Sequence, residues 1–219
     1  TGGCDAGAVP APQGPREPTG PVRGPVDGPA HDARTARLSL RAPTPDDVPE
    51  LFALYSDPRV WRGDPLLRHP SPARTRELLE RWRESWRSAG LGLWVARALP
   101  APGADEVAGT GELVGVGGCS LRAAGAWNLA FTLHPERWGR GYAQEVAAAG
   151  THRARRARPE LPVTAVVAGR NERSVRAVRR AGLHEVWRGP DARDPDPAAT
   201  LLLFADRPLP RERVRALVA

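Results

Sequence analysis

The stretch Leu133-His134-Pro135-Glu136-Arg137-Trp138-Gly139-Arg140-Gly141-Tyr142-Ala143-Gln144-Glu145 carries the densest chemical signal in the chain. An apolar, strand-like run from Leu129 to Leu133 feeds a basic, glycine-bearing turn, which opens directly into a small-residue helical pattern. Such a turn aims backbone N–H groups and the positive end of a helix at one point, a binding arrangement for a phosphate or pyrophosphate. Gly139 and Gly141 let the backbone approach an anion closely. Arg137 and Arg140 add formal positive charge beside it. A plain tight turn shows the same local pattern, so a second segment matters. Asn171-Glu172-Arg173-Ser174 opens another helical run after the apolar strand Val163 to Val167. Asn171 suits its N-cap and Gly182 its C-cap.

Together the two segments resemble the GNAT superfamily of acetyl-CoA-dependent N-acetyltransferases. Within it they are most similar to the branch of ribosomal-protein N-terminal (alanine/serine) acetyltransferases. The residues that carry the resemblance are Pro135, Trp138-Gly139, Gly141-Tyr142-Ala143-Gln144-Glu145, then Asn171, Ser174, Gly182 and Leu183. Leu38-Ser39-Leu40-Arg41-Ala42-Pro43-Thr44-Pro45-Asp46-Asp47 and Ser56-Asp57-Pro58-Arg59-Val60 add to it, and the likeness spans roughly residues 37 to 207 in the family's order.

The elements that must position these residues can be read in order. Residues 1–35 are rich in Gly, Pro and Ala with few large apolar side chains, so they are expected to form a disordered tail. Residues 36–207 form the expected domain, and 208–219 a short basic C-terminal segment. Residues 38 to 42 alternate as a strand. Thr44, Pro45 and Asp47 then start a helix whose apolar face is Val48, Leu51, Phe52, Leu54 and Tyr55. After an irregular segment at 59 to 70, Ser71-Pro72 restarts a helix to about Ser88, with Leu78, Leu79, Trp82 and Trp86 at helical spacing. Strands are expected at Gly92 to Leu99, Glu112 to Leu121 and Ala126 to Leu133, with a long hairpin loop at 100–109. A helix from Gly141 to about Arg158, the strand Val163 to Val167, a helix from Asn171 to Ala181, and strands at Leu183 to Arg188 and Thr200 to Ala205 complete it. Gly115, Gly117 and Gly118 superficially suggest a dinucleotide loop, but no helix follows them. Strands first, then alternating strands and helices, predict an α/β (α+β) fold. The resemblance implies the GNAT version, a mixed, mostly antiparallel, splayed sheet flanked by helices.

Composition narrows the partners. The 219 residues carry a formal net charge of +7, and all 32 basic residues are Arg. Lys, Ile and Met are absent, which reads as a GC-rich coding bias rather than a nucleic-acid surface. The first residue is Thr1 rather than Met, as expected of a processed or truncated start. Cys4 and Cys119 make neither a disulfide framework nor a metal site, and the five histidines lack ligand spacing. No apolar run approaches the ~20 residues that span a bilayer, and no signal-peptide pattern opens the chain. A cytoplasmic enzyme without metal is expected. A homodimer stays open.

Acetyl transfer to an amine sets four requirements. The resemblance implies that acetyl-CoA is held by Leu133, Trp138, Gly139, Arg140, Gly141, Tyr142 and Ala143, with Asn171 and Ser174 on the pantetheine side. Its pantetheine arm would run along the strand edge at Thr132 and Leu133, where a backbone N–H polarises the thioester carbonyl. Where relatives often carry a Glu base, this chain has Asn128, which leaves Asp64, Glu112 and His134 as base candidates. Where many carry a Tyr acid, it has Val178, which leaves Ser174. The acceptor, a peptide N-terminus or a small-molecule amine, is expected among Trp61, Asp64, His69 and Trp94, with Asp64 holding a cationic amine. Two other readings follow from the same residues. One is an acyl-CoA-binding module with little catalysis, motivated by Asn128 and Val178. The other is nucleic-acid or ribosome binding through Arg153, Arg155, Arg156, Arg158, Arg173, Arg176, Arg179 and Arg180.

Overall fold

The computed structural model describes residues 31–100 and 111–219, together with the backbone of Val26–Asp27. Among them, nine strands form one sheet: β1 Val26–Asp27, β2 Ala33–Arg34, β3 Leu38–Arg41, β4 Leu93–Ala98, β5 Leu113–Arg122, β6 Ala126–Leu133, β7 Val163–Ala168, β8 His184–Pro190 and β9 Thr200–Ala205. Their order is β1-β2-β3-β4-β5-β6-β7-β9-β8. Every neighbouring pair is antiparallel except β6 and β7. This is the mixed, mostly antiparallel sheet that the family resemblance implies.

The parallel pair matters most for function. β6 and β7 are joined only at Trp127↔Val163 and Asn128↔Thr164. Beyond Asn128 the two strands part, although each stays fully laddered to its other neighbour. The sheet therefore splays into a V whose inner edges carry backbone groups with no strand partner.

Helices α1 (Val48–Ser56) and α2 (Pro72–Ala89) cover one face; α3 (Tyr142–Ala157) and α4 (Glu172–Arg180) pack on the other. Alternation along β4 divides its side chains between two cores. Leu93 and Val95 meet Leu51, Leu54, Tyr55, Leu79 and Trp82, whereas Trp94 and Ala96 join the core that holds Val146 and Ala147. Asp47 anchors the start of α1: its carboxylate accepts from the Thr44 amide at 2.6 Å and from the Arg41 guanidinium at 2.6 and 3.2 Å. The glycine cluster in β5 has a packing role. A Cβ on Gly117 would lie 2.6 Å from Val146 Cγ1, and Gly150 of α3 would press a Cβ to 2.9 Å from the Cα of Gly118. These glycines let α3 lie close against the sheet.

Folded structure begins before residue 36. β2 pairs with β3, Ala33 is buried, and the Trp94 indole donates to the His31 carbonyl at 2.8 Å. Low apolar content hid this segment, because its order rests on backbone pairing. The rest of the expected tail, residues 1–25 and 28–30, lies outside the described residues, as does the expected hairpin loop from 101 onward. The basic C-terminal segment contains α5 (Arg211–Val218), whose Leu217 is buried against Ala126 and Leu203. Among the described residues no helix is long and apolar enough to cross a membrane.

Candidate active site

At the end of β6 the chain makes a 3-10 turn, Pro135–Arg137, then passes Gly139 (φ +74°) and Gly141 (φ +81°) into α3. Both glycines adopt the left-handed conformation that a side chain would strain. Nothing lies within 4 Å of a Cβ placed on Gly139, so the turn's outer side is open. The Gly141 carbonyl accepts from the amides of Gln144 and Glu145. Among the described residues no acceptor meets the amides of Gly139, Arg140, Gly141, Tyr142 or Ala143. First-turn amides point out of a helix N-terminus, so these donors face one small region.

The turn is braced by residues far away in sequence. The Arg37 backbone amide and Nε each donate to Glu145 at 2.8 Å, and its Nη1 donates to the Arg140 carbonyl at 2.8 Å. The Arg37 guanidinium also stacks on the Tyr142 ring at 4.6 Å. On the other side Trp138 donates from its indole to the Leu133 carbonyl at 2.9 Å, and Arg173 lies 3.7 Å over its ring. Gln144 reaches α4 through the Ala177 carbonyl. Sequence reading missed Arg37. No local signal could reveal it, since its partners lie more than 100 positions away. Arg137 pairs with the exposed Glu112 outside this amide cluster, which occupies Glu112 in an ion pair.

A cleft of about 450 Å³ opens where the sheet splays. β6 contributes Asn128, Ala130 and Thr132 to its floor, and β7 contributes Val166 and Ala168. Of the expected site residues, Trp61, Asp64, His69, Asn171 and Ser174 line it together, and Val178 lines it too. The Asn171 carbonyl oxygen caps α4 by accepting from the Ser174 amide at 3.2 Å, which leaves its NH₂ group available. The Ser174 hydroxyl has no hydrogen-bond partner among the described residues.

Asp64 is 6 % exposed, and its Oδ1 has no hydrogen-bond partner. Its backbone is positioned by the preceding glycine, whose carbonyl accepts from Arg170 at 3.1 Å. A Cβ on Gly63 would sit 3.1 Å from that of Asn171, so this segment presses directly on the start of α4. Burial raises the Asp64 pKa; Asp191 and Asp194 push the same way, against Arg193 and Arg170. Arg193 stands 3.7 Å from Asp64 Oδ2, but its stronger bonds, at 2.7 and 2.8 Å, go to Asp191.

His69 bonds the Thr75 hydroxyl at 2.8 Å and stacks on Tyr55 at 4.6 Å. Burial, aided by Arg74 and Arg81, lowers its pKa to about 4, so it is neutral at pH 7. Trp61 donates to the Tyr55 carbonyl at 2.7 Å. Tyr55, which its spacing placed on the apolar face of α1, turns its hydroxyl to Thr132 Oγ1 at 3.2 Å in the cleft. Burial holds that phenol neutral.

Two expected site residues lie elsewhere. Trp94 is fully buried in the other core, 5.7 Å from Trp86, because its position in β4 points away from the cleft. His134 caps the 3-10 turn and is near Asp57 and Glu136, outside the cleft lining. Cys119 is completely buried in β5, and burial raises its thiol pKa far from thiolate chemistry.

A model of the acetyltransferase (GNAT) domain matches residues 37–184. No curated protein matches significantly. Among solved structures, the chain is similar to a GnaT-family acetyltransferase from Bordetella pertussis, at 22% identity over 80% of this chain and 98% of that one, TM-score 0.62. It is also similar to RimL, a ribosomal L7/L12 alpha-N-protein acetyltransferase in complex with coenzyme A, at 18% identity over 78% and 94%, TM-score 0.60. A third is spermidine N-acetyltransferase from Vibrio cholerae with CoA and spermine, at 15% identity over 78% and 95%, TM-score 0.58.

Proposed function

The chain belongs to the GNAT acetyltransferase family, and on that premise we propose that it transfers an acetyl group from acetyl-CoA to a primary amine by direct transfer in a ternary complex. The observation that carries the reading is the set of unpartnered amides from Gly139 to Ala143 at a helix N-terminus beside a splayed sheet. That set fits a pyrophosphate, and the inner edge of β6 near Thr132 and Leu133 fits an extended amide-bearing arm. Arg140 adds charge at the turn, and Trp138 and Tyr142 hold it in shape through their stacked arginines. The Asn171 NH₂ group, left free by the cap, is available to the arm.

Bound acetyl-CoA supplies the acetyl group as an activated thioester. The chain's own residues manage position and protons. Asp64 receives the acceptor's ammonium at its unpartnered Oδ1 and takes up its proton. An α-amino group has a pKa of about 7.7–8.0, so little driving force is needed near neutrality. Ser174 Oγ passes its proton to the departing sulfur and is replenished by the second proton that the acylated nitrogen gives up as the amide forms, since Val178 offers none. The raised thiol pKa of buried Cys119 argues for direct transfer over an acyl-cysteine route. His134 lies outside the cleft lining, at the N-cap position of the turn, and takes no part in this scheme.

Calorimetric titration with acetyl-CoA and CoA, followed by thiol release with amine acceptors, tests the proposal. Coenzyme binding with turnover is expected. Binding without turnover on any amine would leave a coenzyme-binding module, and no binding by the folded protein would overturn the reading.

A further inference from the structure

Asp64 is surrounded by charges that lie far from it in sequence. Asp191, Arg193 and Asp194 come from the loop between β8 and β9, and Arg170 from the loop between β7 and α4. Backbone bonds hold the two loops in place. The Asp191 amide donates to the Ala199 carbonyl at 2.9 Å, and the Gly169 amide donates to the Thr200 carbonyl at 2.7 Å. Arg170 then ties both loops to the segment that carries Asp64. Its Nε donates to the Gly63 carbonyl at 3.1 Å, and its Nη2 pairs with Asp194.

The bonds inside this group are unequal. Asp191 is buried and takes Arg193 in a fork, at 2.8 Å from Nε and 2.7 Å from Nη2, with the Arg193 amide as a third donor at 3.2 Å. The same Nη2 stands 3.7 Å from Asp64 Oδ2, close enough for an ion pair but too far for a hydrogen bond. Asp64 therefore feels the field of the guanidinium and accepts none of its protons. Three carboxylates, Asp64, Asp191 and Asp194, stand against two guanidiniums, Arg170 and Arg193. Asp196 is exposed and accepts from the Ala198 amide, outside the group. One more cation would balance the set, and the buried, unpartnered Oδ1 of Asp64 marks where it fits.

Resting on the role proposed for Asp64 above, we infer that Arg193 is a positioning residue for that carboxylate, and that Asp191 holds it at the working distance. Held there, Arg193 keeps Asp64 ionised before an acceptor arrives and leaves Oδ1 open to an ammonium. Released from Asp191, the same guanidinium would close on Asp64 and take the place of the acceptor's charge. The effects have a sign. Burial raises the Asp64 pKa most; Asp191 and Asp194 raise it further, and Arg193 and Arg170 lower it. Arg68, Arg74, Arg81, Arg122 and Ala219 also line the cleft, and His69 stands neutral there, but the four charges of this group act on Asp64 most strongly. Removing Arg193 therefore raises the pH at which Asp64 ionises. Removing the charge of Asp191 lowers it, by the loss of a negative neighbour and by the release of Arg193.

The experiment follows Asp64 directly, by carbon-13 NMR of the full chain labelled at its aspartate carboxyls, in the presence of CoA. The Asp64 signal is identified by its loss in Asp64→Asn. n-Butylamine is the amine probe, and thiol release with acetyl-CoA and butylamine gives the pH profile of kcat/KM. Arg193→Ala should move the titration and the acid limb up by about one pH unit, the low end of what an opposite charge exerts at this distance. Arg193→Lys, which keeps the charge without the fork, should restore most of that shift. Asp191→Asn should move both down by about one unit. It should also raise about tenfold the butylamine needed to shift the Asp64 signal, because the amine must displace a guanidinium. The CoA affinity should stay fixed throughout. A merely structural part for the loop would lower the melting temperature without driving the two variants in opposite directions. No shift in either variant, shifts in the same direction, or butylamine binding Asp191→Asn as well as wild type would each overturn the inference. Should Asp191→Asn fail to fold, the two substitutions at the exposed Arg193 decide it alone. Butylamine that leaves the wild-type Asp64 signal unmoved would strike the acceptor role of Asp64 and this inference with it. Opposite shifts without turnover would uphold the positioning role and count against the transfer reading alone.

Discussion

In the turn at residues 134–145 the groups without a partner among the described residues are backbone amides, and the side chains around them hold a loop in shape. In the cleft floored by β6 and β7 the working groups are side chains drawn from four separate stretches of chain, around residues 55, 64–69, 128–132 and 171–174. The turn's shape rests on two left-handed glycines and the Arg37 brace, whereas the cleft holds one buried carboxylate and the groups packed around it. The difference teaches which function belongs to which region. On the proposed reading, backbone amides would meet the pyrophosphate and side chains would meet the acceptor.

The largest expected effect breaks the turn alone. Gly141→Glu places a carboxylate and a strained φ where an anion is to bind, and like charges in contact cost enough for about a 100-fold or greater loss of affinity. Calorimetry should show CoA binding vanish while the fold persists. If binding survives, the amide cluster is not the coenzyme site.

Asp64→Asn attacks the other region. Loss of a positioned base typically lowers the rate about 10²–10⁴-fold, so kcat/KM for the acceptor should fall toward that range with the CoA affinity unmoved. The wild-type acid limb should lie above the ordinary carboxylate range, because burial and Asp191 raise the Asp64 pKa. Activity is expected above that pKa and lost as pH falls through it, and the limb should disappear in the variant. A parallel loss of CoA affinity would merge the two regions that the structure separates.

Arg37→Ala sharpens the comparison from the turn side. Removing the brace leaves every amide in place but frees the loop, and about a tenfold weakening of CoA binding is expected from an exposed, multiply bonded arginine. The acceptor KM should stay fixed and Arg37→Lys should recover part of the loss, which a general unfolding effect would not do.

The smallest effect is on stability. His69 is buried neutral with a pKa near 4 against an ordinary value of 6.5. Its unfolded form takes up a proton first, so stability is full above pH 6.5 and declines progressively as pH falls toward 4. Thermal melts across that range should flatten in His69→Gln. An unchanged slope would show that the acceptor wall does not depend on a neutral imidazole.

Much of the fold was legible because its signals are local. The alternation in Leu38–Arg41, the Thr44–Asp47 box and the Asn171 cap each sit within a few residues, and each forms as its spacing implies. The glycine turn into α3 was legible for the same reason. Trp94 was misplaced by a different logic. Position along a strand does not say which face a side chain takes until the sheet and its helices are assembled, and Trp94 takes the face away from the cleft. Residues 31–35 were read as tail because their order comes from pairing with β3, an interaction composition does not record.

What the sequence by itself determined is the order of strands and helices, the glycine turn and the cap at Asn171, since neighbours along the chain set backbone conformation there. What only the tertiary structure decided is the splay between β6 and β7, the brace from Arg37 to Glu145, the phenol of Tyr55 in the cleft and the unpartnered oxygen of Asp64. Each depends on groups remote in sequence meeting in a packed interior, where burial and pairing, rather than residue type, set what a side chain can do.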